Sequence, residues 1–115
     1  MAKIDNIRIT PTDGAKFIFS YDIVRHGKFE QKAGLYTVGE LRKCIGNRDY
    51  LAETRHFVEQ WFAKIEKIQA EIADIEGQKD IAMTGKITLD EYKRLDIQQK
   101  VCQQALLEMT GGIAV

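Results

Sequence analysis

Leu51, Thr54, Val58, Trp61, Ile65, Ile68, Ile72 and Ile75 recur at alternating spacings of three and four. That repeat places them along one seam of a helix that lies against another helix. The stripe predicts a long helix over residues 49–79, roughly 30 residues and about 45 Å in length at 1.5 Å per residue. A small domain does not need so long a rod to close its core. The ridge Ile65, Ile68, Ile72 and Ile75 is therefore expected to be covered by a second helix, in the same chain or in another. Phe57 and Phe62 widen the stripe in its N-terminal half, the half expected to pack on the rest of the core.

A second run has the same period. Tyr92, Leu95, Gln99, Cys102, Leu106 and Met109 follow three-four spacing, which predicts a helix over residues 88–110. Thr88 and Glu91 form a capping box at its start, and Gly111-Gly112 ends it. Gly85 and its polar neighbours separate the two runs, so an antiparallel helical hairpin is the economical arrangement. Gln99 and Thr54 are polar positions in otherwise apolar seams, a device that fixes register at some cost in stability.

Residues 1–36 carry a different period. Phe17, Phe19, Tyr21 and Ile23 alternate with Ser20 and Asp22, and Ile7 and Ile9 alternate likewise. Pro11-Thr12-Asp13-Gly14 and His26-Gly27 supply turns between strands. The reading is a three-stranded antiparallel meander. Its third strand is expected to continue the buried face through Phe29, Ala33 and Leu35, with Glu30, Lys32, Ser20 and Asp22 on the wet side. Thr37 and Glu40 then open a short helix over 37–46 with Leu41, Cys44 and Ile45 on one side, stopped at Gly46-Asn47. The fold class is α+β: an N-terminal β-meander, a short helix and a coiled-coil-like helical hairpin, within one domain spanning 1–115. Length supports this, since 115 residues with 44% hydrophobic content and a single Pro can bury a core without disulfides or metal.

Charge excludes little and suggests little. The formal net charge is zero. Residues 1–48 hold nine Lys/Arg against five Asp/Glu, and residues 49–115 hold eight against twelve, so the two parts differ in sign. Cys44 and Cys102 are the only cysteines, and charged residues near the start stand where a secretory signal needs an apolar run. No apolar run approaches the ~20 residues of a membrane span. The expectation is a soluble, cytoplasmic protein with reduced thiols and no membrane association.

No catalytic, metal or cofactor constellation emerges. Two separated His and two separated Cys lack metal-ligand spacing. Neither GxxxxGK[ST] nor GxGxxG is present. A thiol nucleophile would need Cys44 and His56 to meet, but Cys44 reads first as a small buried hydrophobe. A twelve-residue calcium loop from Asp80 to Glu91 would match at Gly85, Ile87 and Glu91, yet Ala82 and Thr84 stand where oxygen ligands are required.

The segment Tyr36-Thr37-Val38-Gly39-Glu40-Leu41 resembles the opening of the MerR-type helix-turn-helix, a family that also carries a long dimerising helix. The resemblance covers six residues and implies a nucleic-acid-binding regulator. Beyond Leu41 the chain lacks the family's second-helix and wing pattern, and a sheet precedes Tyr36, so no residue role carries over. Lys16, Arg25, Lys28, Lys32, Arg42, Lys43 and Arg48 independently give the N-terminal part a basic cast suited to phosphates.

The function expected from the residues is a non-enzymatic protein-protein interaction module, a small accessory protein of the adaptor, inhibitor or assembly kind. It would use Ile65, Ile68, Ile72, Ile75, Leu95 and Gln99 to engage a protein partner or a second copy of itself. A nucleic-acid-binding regulator is the alternative.

Overall fold

The computed structural model of the chain describes residues 2–85 and 87–115. Strands β1 (Lys3–Pro11), β2 (Phe17–Arg25) and β3 (Lys28–Tyr36) form an antiparallel sheet in the order β1-β2-β3. Helix α1 (Val38–Gly46) follows, then α2 (Ala52–Ala82) and α3 (Leu89–Thr110), which pack against each other. The α+β meander, short helix and helical hairpin expected from the sequence are all present. The molecule measures 64 × 27 × 22 Å because the hairpin runs well past the sheet.

The β2–β3 connection fixes the sheet. His26 and Gly27 both adopt positive φ, 51° and 74°, the geometry of a two-residue hairpin whose twist matches the strands. It pairs Arg25 with Lys28, and the register then runs unbroken to Phe17 opposite Tyr36. Facing residues of an antiparallel pair share a side of the sheet. Phe17, Phe19, Tyr21 and Ile23 therefore share theirs with Tyr36, Gly34, Lys32 and Glu30.

This corrects the expected apolar side of the third strand. Phe29, Ala33 and Leu35 stand opposite Val24, Ser20 and Ile18, on the side away from the helices. Phe29 is 67% exposed and Leu35 57%. The apolar alternation in β3 is real, but the turn sets its parity against that of β2. Asp22 departs from expectation too. It lies on this outer side yet is buried, accepting a 2.8 Å hydrogen bond from the Asn6 side-chain amide. Asn6 sits at φ 52°, where the β1–β2 register shifts between Asp5 and Arg8. This bulge turns Ile4 to the same side as Ile7 and Ile9, and Ile4 is buried opposite Ile23.

The core lies between the inner side of the sheet and the base of the helices. Phe17, Phe19, Leu41, Cys44, Val58, Trp61, Phe62 and Ile65 form one buried cluster. Phe17 and Phe62 each meet Trp61 edge-on with ring centroids 5.0 Å apart. The Arg42 guanidinium lies 4.2 Å above the Phe62 ring, closing the outer edge of this cluster.

Local signals set the helix limits. The Thr37 hydroxyl accepts from the Glu40 amide and the Thr88 hydroxyl from the Glu91 amide, each at 3.2 Å. Helix α2 starts at Ala52, three residues later than expected. The Asn47 side chain accepts from the Asp49 amide at 2.9 Å and its carbonyl from the Tyr50 amide, which holds 47–50 in a turn. At the other end α2 continues to Ala82, past the expected residue 79. Helix α3 ends at Gly111, which takes φ 60° and donates its amide to the Leu107 carbonyl. A Cβ added there would come within 2.6 Å of Pro11. Glycine thus lets the end of the hairpin sit directly on β1.

Candidate interaction surface

The isoleucine ridge is covered from within the chain. Ile65 and Ile75 are buried, at 0% and 4% exposure, and Ile68 and Ile72 are half-buried. The covering element is α3, whose Leu106 and Met109 pack on the core cluster containing Ile65. Of the residues expected to engage another molecule, these four thus already have a helical partner in α3. Leu95 is half-buried and lines a shallow hollow with Ile81, Ile87 and Arg94 near the tip of the hairpin.

Gln99 is the centre of a polar ladder across the hairpin. Its side-chain oxygen accepts from Lys79 Nζ at 2.8 Å, and its Nε2 donates to Glu76 Oε1 at 3.3 Å. Lys79 Nζ also donates to Asp96 Oδ1 at 2.9 Å, and Asp96 takes Lys100 at 3.1 Å on its other oxygen. The Asp96 hydrogen bond raises the Lys79 pKa, and the bonds from Lys79 and then Lys100 lower that of Asp96. One turn further in, Cys102 Sγ lies 3.7 Å from Glu71 Oε2. Partial burial, then this carboxylate, raises the thiol pKa and keeps it protonated. The ladder ties Glu71, Glu76 and Lys79 of α2 to Asp96, Gln99 and Cys102 of α3 and so fixes the hairpin register.

Among the described residues, none covers the other side of α3 in this way. Ile97 and Val101 are each 64% exposed, one turn apart, and Ala105 continues the line. Lys100, Gln104 and Glu108 flank them around a shallow open groove. At 100° per residue Ile97 lies almost opposite the seam of Leu95, Gln99, Cys102 and Leu106, Val101 about 130° from it, and half-buried Ala105 about 90° from it. The hairpin tip adds exposed Ile81, Met83 and Leu89. Sequence reading missed this stripe. Its signal was present, since i, i+4, i+8 spacing is visible in Ile97, Val101 and Ala105, but the stronger seam on the same helix masked it.

The remaining candidates are dispersed. Cys44 is buried in the core cluster while His56 is exposed on α2, and among the described residues no hydrogen bond joins them. The would-be calcium loop begins inside α2, with Asp80 and Ala82 both helical, and Glu91 serves in the cap of α3. Among the described residues no three His, Cys, Asp or Glu side chains converge as metal ligands. Phe17 and Phe19 are fully buried in the core cluster. No described helix is long and apolar enough to cross a membrane.

Matching against known protein families, curated proteins and solved structures found no relative of this chain.

Proposed function

We propose that this chain is a non-enzymatic protein-protein interaction module, a small adaptor, inhibitor or assembly protein that works through its helical hairpin and through oligomerisation. The observation that carries the reading is the outward stripe of α3. Ile97 and Val101 stand exposed on a rod whose inner seam is already filled. An apolar line at i, i+4, i+8, rimmed by Lys100, Gln104 and Glu108, suits the apolar face of a partner helix.

The shape of the molecule supports the same reading. Its accessible surface is 8015 Å², against about 6,400 Å² expected for a compact monomer of this mass. Its radius of gyration is 18.7 Å, against about 13 Å for a compact domain of this length. The surplus of about 1,600 Å² is about twice the roughly 800 Å² that a standard interface takes from each side, room enough for a protein partner.

The test is a double substitution, Ile97→Lys with Val101→Lys. Both side chains face solvent, so far-UV circular dichroism and melting temperature are expected to stay near those of the parent chain. Proteins retained by the parent chain on an affinity column are expected to be lost from the variant. Equal retention by both would reject the stripe as the docking face.

A further inference from the structure

We propose that the free edge of β3 is a self-association surface, on which a second copy of this chain pairs antiparallel with β3 in one register centred on Gln31. The inference rests on the reading of the chain as an assembly module but uses a different surface from α3. Strand β3 pairs with β2 on one side only, and among the described residues no strand lies on its other edge. Residues Lys28–Ala33 are exposed throughout. An exposed strand edge is a template for pairing with another chain.

The turn geometry says which backbone groups are available. The two-residue His26-Gly27 turn makes Arg25 and Lys28 the closing hydrogen-bonded pair. Bonding then alternates, so Lys28, Glu30, Lys32 and Gly34 direct their amides and carbonyls at β2. Phe29, Gln31, Ala33 and Leu35 direct theirs outward, at the free edge.

A two-fold axis normal to the sheet keeps each side of the sheet on its own side, so each register is centred on one residue facing its own copy. Centring on Glu30 sets Glu30 against Glu30 and Lys28 against Lys32. Centring on Lys32 sets Lys32 against Lys32. Centring on Gln31 sets Glu30 opposite Lys32 of the second copy, twice over, and Phe29 opposite Ala33. Opposite charges facing across a strand pair stabilise it and like charges oppose it. Centring on Phe29 also sets Lys28 opposite Glu30, but it pairs only residues 28–30 of β3, whereas centring on Gln31 pairs residues 28–34. Charge and paired length together thus select one register. Within a chain Glu30 and Lys32 already meet at 2.9 Å on the inner side, with half or more of each side chain exposed, so the dimer would assemble four charges of alternating sign. In this arrangement Phe29 and Leu35 of both copies join one continuous outer sheet side, and two hairpins project from the other.

The experiment is a charge exchange read by sedimentation mass. The parent chain is expected at twice its 13.1 kDa. Glu30→Lys alone and Lys32→Glu alone each place like charges opposite one another and are expected to weaken association at least about tenfold. Mixing the two single variants restores opposite charges at both positions, so the mixture is expected to dimerise. A role confined to the pair within one chain cannot produce that rescue, because each variant still carries its own like-charged pair. Gln31→Pro gives a second arm. It removes an outward amide that makes no bond to β2, and proline is tolerated at such edge positions, so it is expected to give a folded monomer. A parent chain that is monomeric at every concentration overturns the proposal, and so does a dimer indifferent to all of these changes. Ile97→Lys with Val101→Lys is expected to leave the dimer mass unchanged, which separates failure of this edge from failure of the α3 stripe.

Discussion

Lys79 on α2 and Gln99 on α3 meet at 2.8 Å across the helical hairpin, and each is held by a second partner, Asp96 for the lysine and Glu76 for the glutamine. A polar contact of this kind inside an apolar seam does more for register than for stability. Gln99→Leu is therefore expected to leave the melting temperature unchanged or slightly higher. The amide resonances of residues 76–79 and 96–99 are expected to broaden or double as neighbouring registers become accessible. A single sharp set of peaks would show that the ladder does not select the register.

The buried ridge makes a separate prediction. Ile65 and Ile75 are buried between α2 and the elements packed on it. Ile65→Ala and Ile75→Ala are each expected to cost about 2–4 kcal/mol in urea unfolding. The two sites lie ten residues apart on α2, so the costs should add within about 0.5 kcal/mol. Losses well under 1 kcal/mol would mean that α3 does not cover the ridge in solution.

Gly111 ties the hairpin to the sheet. Its φ of 60° disfavours any side chain, and a Cβ there would meet Pro11 at 2.6 Å. Gly111→Ala combines both penalties and is expected to cost about 1–3 kcal/mol, with the effect seen first as increased amide exchange in the last turn of α3. Wild-type exchange in that turn would contradict the close approach.

Alkaline pH offers a fourth check. The Tyr36 and Tyr50 hydroxyls lie 3.1 Å apart. That hydrogen bond, then burial, pushes the Tyr50 pKa well above its ordinary value near 10, and burial first raises that of Tyr21. A folded-state pKa above the unfolded one contributes stability that is complete below the unfolded value and is lost as pH rises beyond it. Stability is therefore expected to hold to about pH 9 and fall above pH 10. Lys79, also raised, acts in the same window. Tyr36→Phe with Tyr50→Phe is expected to flatten the alkaline fall and to remove a late phenolate from the ultraviolet titration. An unchanged titration would remove this pair from the account.

Much of this architecture was legible in the residues, for identifiable reasons. The three-four seams of α2 and α3 gave the hairpin, and Thr37 and Thr88 marked two helix starts through hydroxyls that cap them. The late start of α2 was not legible, because Asn47 holds 47–50 in a turn by a side-chain bond that competes with helix. The orientation of β3 was misread because parity passes through a turn. Phe29, Ala33 and Leu35 alternate as a buried strand would, but His26-Gly27 sets them on the outer side. The Asn6 bulge escaped notice because one residue of positive φ leaves no trace in hydropathy. Ile65, Ile68, Ile72 and Ile75 lie along the α2 seam and Gln99 along the α3 seam, as their spacing placed them, and the two seams face each other within the chain. Whether that seam closed within the chain depended on the length and placement of α3, and its closure leaves Ile97 and Val101 among the apolar residues still facing water.

The most direct test of the interaction account places a photo-crosslinking amino acid at Val101 in cells that naturally contain the protein, with Glu59, exposed on α2, as the control position. The account predicts a discrete protein adduct from Val101 that is missing from Glu59. No adduct at Val101, or equal adducts at both positions, would contradict it.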